Sequence, residues 1–374
     1  MHQIPIVIAS VLKPLKDPRA YYRFAFSLRE TNKYNINIIG FSLKKEPEEE
    51  NIKFHSIFSK NRNDFSRVLA GARFFKRLFQ IKPKLVIVTT FELLPAAILA
   101  KWMLGFALVY DLQENHLLNL SQNKTMSGWK KDLSKAFVSL IESCSKPFID
   151  HYFFAEKVYQ KEFPKIKSPS LLPNKYYGTE QDIKPVTFSS GKYLRFLISG
   201  TLTEVYGILE GIEWFKSVLA YYPQATLTVI GHVPIQGYYQ KLCEATADQR
   251  SIQFEGSENP IPYSAILKAY TESDIVMVPY HQIPSISPKI PSKMYESIAL
   301  GKPCLFQVNT EWEDICSVYP AGKAIDFRDL THSQQHLNDF LKATYFDLKP
   351  GDEVLWKSDE VKFLDVVARL TEKV

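Results

Sequence analysis

Cysteine is scarce in this sequence, and clusters of metal-binding residues are missing from it. The chain has 374 residues, and its cysteines lack the paired spacing of a zinc site or of a disulfide framework: Cys144, Cys243, Cys304 and Cys316. Scattered cysteines are typical of buried thiols in a reducing compartment. The sequence therefore predicts a cytoplasmic protein without a metal site.

Other familiar signals are also missing. The sequence has no Walker loop, no nucleophile elbow and no Gly-x-Gly-x-x-Gly run, and the last absence disfavours a nicotinamide dehydrogenase. The most apolar stretch, residues 93–108, is interrupted by Pro95, Lys101 and Gly105, which leaves it too short to span a bilayer. The short apolar run at the start of the chain precedes its basic residues, an order that does not match a secretory leader.

Charge is plentiful but unevenly distributed. Residues 1–185 contain 29 Lys or Arg and 17 Asp or Glu, a balance of +12, whereas residues 186–374 contain 17 and 23, a balance of −6. A basic half favours contact with an anionic surface, either a nucleic acid or an anionic membrane leaflet. Solvated surface residues would give the same count.

Short apolar runs alternate with amphipathic stretches along the whole chain. In the first half we expect strands at 5–9, 35–41, 85–89, 107–110 and 151–154, and helices at 20–31, 65–79, 94–104 and 133–144. In the second half we expect strands at 195–199, 225–230, 252–254, 275–278 and 304–308, and helices at 208–220, 236–247, 263–272 and 359–373. This alternation is typical of parallel sheets covered by helices on both faces.

The length and the alternation together predict an α/β protein of two doubly wound, Rossmann-like domains. We expect an N-terminal domain over residues 1–172 and a C-terminal domain over residues 173–357, with the Pro/Ser/Lys-rich stretch near 172–190 as the linker. Ligands of such domains bind at the carboxyl ends of the strands, which predicts a site in a cleft between the two domains.

The segment from Ile290 to Leu305 is the most informative part of the sequence. Ser292 is a good helix cap beside Pro291, and Gly301 predicts the end of the helix. Lys293 and Glu296 are three residues apart, so they share one face near the start. A helix start carrying a lysine can hold a diphosphate, and a glutamate one turn later can accept hydrogen bonds from ribose or sugar hydroxyls.

This segment resembles the Pro-Ser/Asn-Lys-x-x-Glu-Tyr-x-Ala-x-Gly-x-Pro signature of the group-one family of retaining GT-B glycosyltransferases. The resemblance implies GT-B architecture, in which the last helix, residues 358–374 here, packs back on the N-terminal domain. It also implies donor contacts by Ser292, Lys293 and Glu296. The chain departs from the full pattern at Pro288, where many relatives have a first glutamate eight residues before the second.

Two loops of the first half match the family less completely. Arg19 follows the first strand, where it could meet a donor phosphate or an anionic acceptor, or pair with Asp17 at a helix start. The run from Tyr110 to His116 resembles the family's Tyr-Asp-x-His-Glu segment, which lies near the reacting sugar. Here Asp111 and Glu114 are retained, but Gln113 stands at the histidine position, and a glutamine can bind a sugar without moving a proton.

In the second half, the loops after the predicted strands resemble the family's nucleotide pocket. The segment from Gly200 to Gly207 follows a strand and opens a helix, and its glycines would let backbone N–H groups approach a phosphate. Lys293 becomes the best candidate cation because Tyr206 replaces a lysine common in relatives. The candidate donor-binding residues of these loops are Gly200, Thr201, Tyr206, Gly207, Gly231, Gly256, Ser257, Pro279 and Tyr280.

The resemblance implies a retaining hexosyltransferase that moves a sugar from a nucleotide diphosphate sugar to a hydroxyl of a glycan or lipid-linked glycan, in cell-surface polysaccharide synthesis. It implies that no metal is needed, because positive groups and helix dipoles hold the leaving diphosphate. It also implies no cofactor and no nucleic-acid partner. Two alternatives stay open: a nucleotide-sugar epimerase of the same architecture, and a non-catalytic binding protein.

A basic amphipathic stretch favours contact with the inner face of the cytoplasmic membrane. In residues 67–79, Val68, Ala72, Phe75 and Phe79 form an apolar stripe that Phe74 and Leu78 broaden, with Arg67, Arg73, Lys76 and Arg77 largely off it. A helix of this kind can lie on an anionic lipid surface, or it can pack on a core with its basic face outward.

Overall fold

The computed structural model describes residues 3–42, 45–58, 69–122, 128–189 and 193–373. The chain divides into two compact units, Met1–Tyr177 with Lys357–Val374, and Gly178–Trp356. The boundary follows Tyr177 rather than residue 172, because Arg23 donates hydrogen bonds to the carbonyls of Asn174 and Lys175 and ties this stretch to the first unit.

A parallel sheet forms the centre of the first unit, with its described strands in the order β3-β2-β1-β4-β5-β6-β7. These strands are β1 (Ile4–Pro14), β2 (Tyr34–Phe41), β3 (Ile52–Phe58), β4 (Leu85–Val88), β5 (Ala107–Leu112), β6 (His151–Phe154) and β7 (Ser170–Leu171). The order reverses between β1 and β4, and ligands of doubly wound sheets bind at the carboxyl ends of strands near such a reversal.

The helices of the first unit are α1 (Phe26–Glu30), α2 (Ala70–Ile81), α3 (Leu94–Leu104), α4 (His116–Gln122), α5 (Gly128–Ser145), α6 (Tyr159–Glu162) and α13 (Lys357–Glu372). A π-helix, Pro18–Ala25, precedes α1 where the sequence predicts a single α-helix over 20–31. On α13, the Phe363 ring stacks on Phe24 at 4.5 Å, which joins the end of the chain to this unit. None of the described helices is long and apolar enough to cross a bilayer.

Helix α2 packs on the core with its apolar side, which corrects the stripe expected from the sequence. Ala70, Phe74 and Leu78 are buried in the cluster beneath the helix, and Phe75 and Phe79 are half-buried against it. The basic side chains of α2 point outward, but its apolar side is not available to lipid. Residues 65–68, which include Arg67 and Val68 of the predicted stripe, lie outside the described residues.

The second unit repeats the doubly wound plan, with its described strands in the order β10-β9-β8-β11-β12-β13. They are β8 (Arg195–Thr201), β9 (Thr226–His232), β10 (Ile252–Ser257), β11 (Ile275–Val278), β12 (Cys304–Gln307) and β13 (Gly322–Ile325). The helices are α7 (Ile208–Leu219), α8 (Gln236–Thr246), α9 (Tyr263–Glu272), α10 (Ser292–Ala299), α11 (Thr310–Ser317) and α12 (Ser333–Leu341). The order reverses between β8 and β11.

Candidate functional site

The start of α10 lies near the carboxyl end of β8. Pro291 is extended, with φ −56° and ψ 139°, and Ser292 is the first helical residue rather than the cap that the sequence predicts. Proline holds this extended conformation because its ring fixes φ, and the cap residue itself supplies no side-chain hydrogen bond. The Met294 N–H donates to the Pro291 carbonyl at 2.9 Å. The N–H groups of Ser292 and Lys293, which precede it, have no acceptor within an α-helix, and such a start favours an anion.

The C-terminal end of α10 is a Schellman motif, which agrees with the helix end that Gly301 predicts. The Gly301 N–H donates to the carbonyl of Ile298, and the Lys302 N–H donates to the carbonyl of Ser297. Gly301 has φ +63°, in the left-handed region that glycine adopts without strain. The helix is thus limited to about two turns.

Lys293 and Glu296 form an ion pair on the first turn of α10. The Lys293 Nζ atom lies 2.7 Å from Glu296 Oε2, and the hydroxyl of Tyr263 donates to Glu296 Oε1 at 3.0 Å. Glu296 is buried, with 1% of its surface exposed, whereas the Lys293 side chain is 13% exposed. The carboxylate therefore holds the ammonium group at the helix start, and the ammonium is the more accessible of the two charges.

Glycines at two predicted positions allow close contacts beside Lys293. A Cβ built on Gly200 would lie 2.7 Å from Lys293 Cε, and one built on Gly231 would lie 1.9 Å from the carbonyl oxygen of Gly200. Gly200 also has φ +116°, which L residues rarely adopt. Gly200 therefore makes room for Lys293, and Gly231 makes room for the backbone of Gly200, so a side chain at either position would displace its neighbours.

The backbone at the start of α7 lies close to the backbone at the end of β11. A Cβ on Gly207 would lie 1.9 Å from the carbonyl oxygen of Pro279. Beside this contact, the Tyr206 and Tyr280 rings lie 4.5 Å apart, and Tyr280 meets Trp312 edge-on at 6.1 Å. Burial raises the pKa of Tyr280 well above its ordinary value, and Tyr206 adds to the effect, so the Tyr280 hydroxyl stays neutral.

Three other predicted residues lie at the carboxyl ends of β8 and β10, the two strands that flank β9. Thr201 ends β8, and Gly256 and Ser257 end β10, while Ser257 pairs in register with His232 of β9. A Cβ on Gly256 would lie 2.1 Å from the ring of Phe254, so this glycine is needed for packing within its own strand. The carbonyl of Ser257 accepts from the Val233 N–H at 2.7 Å.

Several polar contacts at this edge of the sheet could not be predicted from the sequence. His281 Nε2 lies 2.7 Å from Glu210 Oε1, beside Gly207, although the two residues are 71 positions apart. The segment before α10 is fixed from α11, because Asn309 donates to the Ser287 carbonyl at 2.9 Å and Trp312 Nε1 donates to the Lys289 carbonyl at 2.6 Å. No local motif contains any of these three pairs of partners.

In the first unit, the Arg19 guanidinium group is bound by other groups of the fold. Its Nη2 atom lies 2.7 Å from Asp111 Oδ1, and its Nη1 donates to the Leu172 carbonyl at 2.7 Å. Arg19 is 2% exposed and Asp111 is fully buried. Asp17 caps the π-helix by accepting the Arg19 N–H at 2.9 Å, so the predicted Asp17 contact is made by the backbone. Arg19 and Asp111 therefore position the loops around them.

Gln113 and Glu114 lie at the carboxyl end of β5. Gln113 Nε2 donates to Asp111 Oδ2 at 2.8 Å, and its carbonyl accepts from Tyr159 at 2.7 Å. The Glu114 carboxylate accepts from Asn119 at 3.2 Å. The buried pair of Arg19 and Asp111 thus fixes the orientation of Gln113, while Glu114 stays at the surface.

A small cavity opens at the carboxyl ends of β1 and β4, where the strand order reverses. Its polar lining comes from Ser10, Lys13, Asp17, Thr89 and Gln113. Thr89 is 6% exposed, and its hydroxyl has no hydrogen-bond partner among the described residues. A buried hydroxyl without a partner is unfavourable in the free protein, so a ligand hydroxyl that reached it would gain a hydrogen bond.

No family model matches the chain, and no curated protein matches it. Solved structures do match over nearly its whole length. Sucrose-phosphate synthase from Thermosynechococcus elongatus has a TM-score of 0.67 at 12% identity and covers 100% of both chains. Anabaena HepE in complex with UDP-glucose has a TM-score of 0.64 at 10% identity, over 98% of this chain and 100% of that one.

An epimerase is also similar. UDP-GlcNAc 2-epimerase from Neisseria meningitidis, bound to UDP-GlcNAc, has a TM-score of 0.58 at 13% identity, over 98% of this chain and 100% of that one. These similarities confirm the expected α/β fold with two parallel sheets, as in GT-B proteins. At such identities they concern the fold alone.

Proposed function

We propose that this chain is a glycosyltransferase that takes a hexose from a uridine diphosphate sugar and passes it, with retention, to a hydroxyl of a glycan acceptor in cell-surface polysaccharide synthesis. The observation that carries the proposal is the Lys293 ammonium group, held at the start of α10 by Glu296 and accommodated by Gly200. Solved structures of similar fold contain UDP or UDP-sugars, which supports the choice of donor.

Lys293 and the first N–H groups of α10 would hold the diphosphate and stabilise the charge that develops as UDP leaves. Glu296 would have two roles. It positions Lys293, and its remaining lone pairs can accept a hydrogen bond from a hydroxyl of the sugar donor. The residues at the ends of β8 to β11 would surround the nucleotide. No metal is required in this scheme.

The test is calorimetry of Lys293→Ala with UDP and with uridine. A charge-assisted hydrogen bond contributes about 1.5–3 kcal/mol, so UDP affinity should fall about ten- to hundredfold while uridine affinity changes little. Lys268→Ala is the matched control, because Lys268 is an exposed lysine of the same unit that pairs only with Glu272 in the described ion pairs. Equal losses for UDP and uridine would place Lys293 away from the phosphates.

For the acceptor we propose that one of its hydroxyl groups enters the cavity beside Thr89, which has room for about one water molecule. Thr89→Val keeps the shape but removes the unpartnered hydroxyl, so thermal stability should be unchanged or higher. If an acceptor hydroxyl binds there, the KM for the acceptor should rise while the affinity for UDP stays the same. An unchanged acceptor KM would exclude Thr89 from the acceptor site.

An epimerase is the second candidate, favoured by the similarity to the Neisseria enzyme. Incubation of the protein with UDP-sugars separates the alternatives. A transferase releases UDP in proportion to glycosylated acceptor, whereas an epimerase converts the sugar without needing an acceptor. A protein that binds UDP-sugar and does neither would be a non-catalytic binding protein.

A further inference from the structure

The outward face of α5 is apolar along its whole length. Trp129, Leu133, Phe137 and Leu140 follow one another at spacings of four, four and three residues, so they share one face of the helix. Each is 57–69% exposed, whereas Val138 on the opposite face is 3% exposed. Phe137, Leu140 and Cys144 therefore lie on an exposed side of α5, whereas Ile141 packs against the core.

Helix α3 continues this apolar surface. It packs against α5, and its Leu99, Trp102 and Met103 are 49–67% exposed while Ala97 and Ala100 face the core. The Trp102 ring meets Phe148, just beyond α5, edge-on at 5.4 Å. We call these seven exposed side chains the apolar face: Leu99, Trp102, Met103, Trp129, Leu133, Phe137 and Leu140.

Cations border the apolar face. Helices α2, α3 and α5 contain seven Lys or Arg and two acidic residues, Asp132 and Glu142. Helix α2 packs beside α3 and exposes its basic side chains, Arg73, Lys76 and Arg77. Lys130 is exposed on α5 itself. Large apolar side chains and a cationic border thus occur together on one layer of the first unit.

We propose that this layer docks on an anionic lipid surface, with the apolar face inserted at the level of the headgroups and the cations of α2 and α5 against lipid phosphates. Tryptophan and other large apolar side chains enter this zone, and lysine and arginine pair with anionic lipid. A second copy fits less well, because joining two such faces would bring their cations together. The proposal concerns the first unit alone and does not depend on the proposed sugar transfer.

Two tryptophans of the apolar face can report its contact with lipid through their fluorescence. Its five tryptophans include Trp214, Trp312 and Trp356, which are 0–1% exposed, and the apolar face holds the other two. Phosphatidylcholine vesicles with brominated acyl chains, made with and without phosphatidylglycerol, should quench tryptophan fluorescence only when the anionic lipid is present. A double variant, Trp102→Phe with Trp129→Phe, should still sediment with these vesicles but lose the quenching.

The decisive variant changes Leu133, Phe137 and Leu140 to Gln. Binding to anionic vesicles should fall at least tenfold, while UDP affinity and the far-UV spectrum stay the same because the three side chains are exposed. The matched control changes exposed apolar residues of the second unit to Gln and should bind vesicles like the wild type: Tyr221, Ile235 and Val308. Salt should weaken binding, since the Debye length falls from about 10 Å at 0.1 M to about 3 Å at 1 M.

Three outcomes would overturn the proposal. The first is wild-type protein that ignores anionic vesicles at low salt. The second is vesicle binding that the triple variant retains in full. The third is a wild-type dimer in sedimentation equilibrium that the triple variant converts to monomer without any vesicle binding, which would assign the apolar face to a second copy of the chain.

Discussion

Replacing Gly200 with alanine should damage the candidate donor site although the new methyl group needs no contact with a ligand. At φ +116° an L residue is strained by about 1–3 kcal/mol. The new Cβ would also lie 2.7 Å from Lys293 Cε, so the lysine must leave its rotamer, at about 0.5–1.5 kcal/mol. We expect the free energy of unfolding to fall by about 2–4 kcal/mol and UDP affinity to fall as it does in Lys293→Ala.

A double-mutant cycle separates the two effects. In the Lys293→Ala background the clash is gone, so Gly200→Ala should cost only the backbone strain. The two changes together should therefore destabilise the protein by about 0.5–1.5 kcal/mol less than the sum of the single variants. For UDP binding, the double variant should be no weaker than Lys293→Ala alone, because the group that Gly200→Ala displaces is already absent.

Urea unfolding and calorimetry with UDP measure both cycles. Gly237→Ala is the control, because Gly237 lies in α8 and a Cβ there would meet nothing within 4 Å. It should stabilise the protein by about 0.4–1 kcal/mol and leave UDP binding unchanged. Additive unfolding energies, together with normal UDP affinity in Gly200→Ala, would refute the idea that Gly200 makes room for a phosphate-binding lysine.

The bounds of a helix or strand could be predicted from the sequence where residues that stop the element lie at its ends. Helix α3 runs from Leu94 to Leu104 as predicted, since Pro95 suits the first turn and Gly105 takes a left-handed conformation with φ +75° just after the last. The bounds of α9 and β11 also match the prediction. In each case the residues that stop the element are adjacent to it in sequence.

Edge strands and long-range contacts were not predictable in this way. Strand β3 lies at the edge of its sheet and carries Lys53 and His55, so it lacks the apolar run of a central strand. Strand β13 is also an edge strand, has four residues and is mostly half-buried. The π-helix at Pro18–Ala25 has no periodicity that distinguishes it from an α-helix over so few turns. The prediction of an α-helix there was correct in position but wrong in type.

In the candidate site, too, contacts between residues close in sequence could be predicted, whereas contacts between distant residues could not. Lys293 and Glu296 are three residues apart on one helix, so their contact follows from helical geometry alone. The pairing of Arg19 with Asp111 joins residues 92 positions apart, and only the order of the strands brings them together. The apolar face of α5 shows a related limit of sequence analysis. Periodicity indicates that one face of a helix is apolar, but it does not indicate whether that face is buried or exposed.

Three further changes test the electrostatics of both units. Glu296→Gln should lower UDP affinity tenfold or more in calorimetry, because the amide loses the charge-assisted hydrogen bond proposed to a donor hydroxyl, and such a bond contributes about 1.5–3 kcal/mol. Asp111→Asn should reduce the free energy of unfolding in urea by about 3–5 kcal/mol, since it leaves the Arg19 charge buried without a counterion. The third change concerns pH. Burial, and then Arg369, lowers the pKa of His151 from 6.5 to about 4. Between these values the unfolded chain binds a proton that the folded chain does not, so stability should fall as the pH decreases through this window and should be unaffected by this group above it. Urea midpoints at neutral pH and near the lower value should therefore differ less in His151→Gln than in the wild type, and an equal difference in both proteins would exclude His151 as a source of the acid sensitivity.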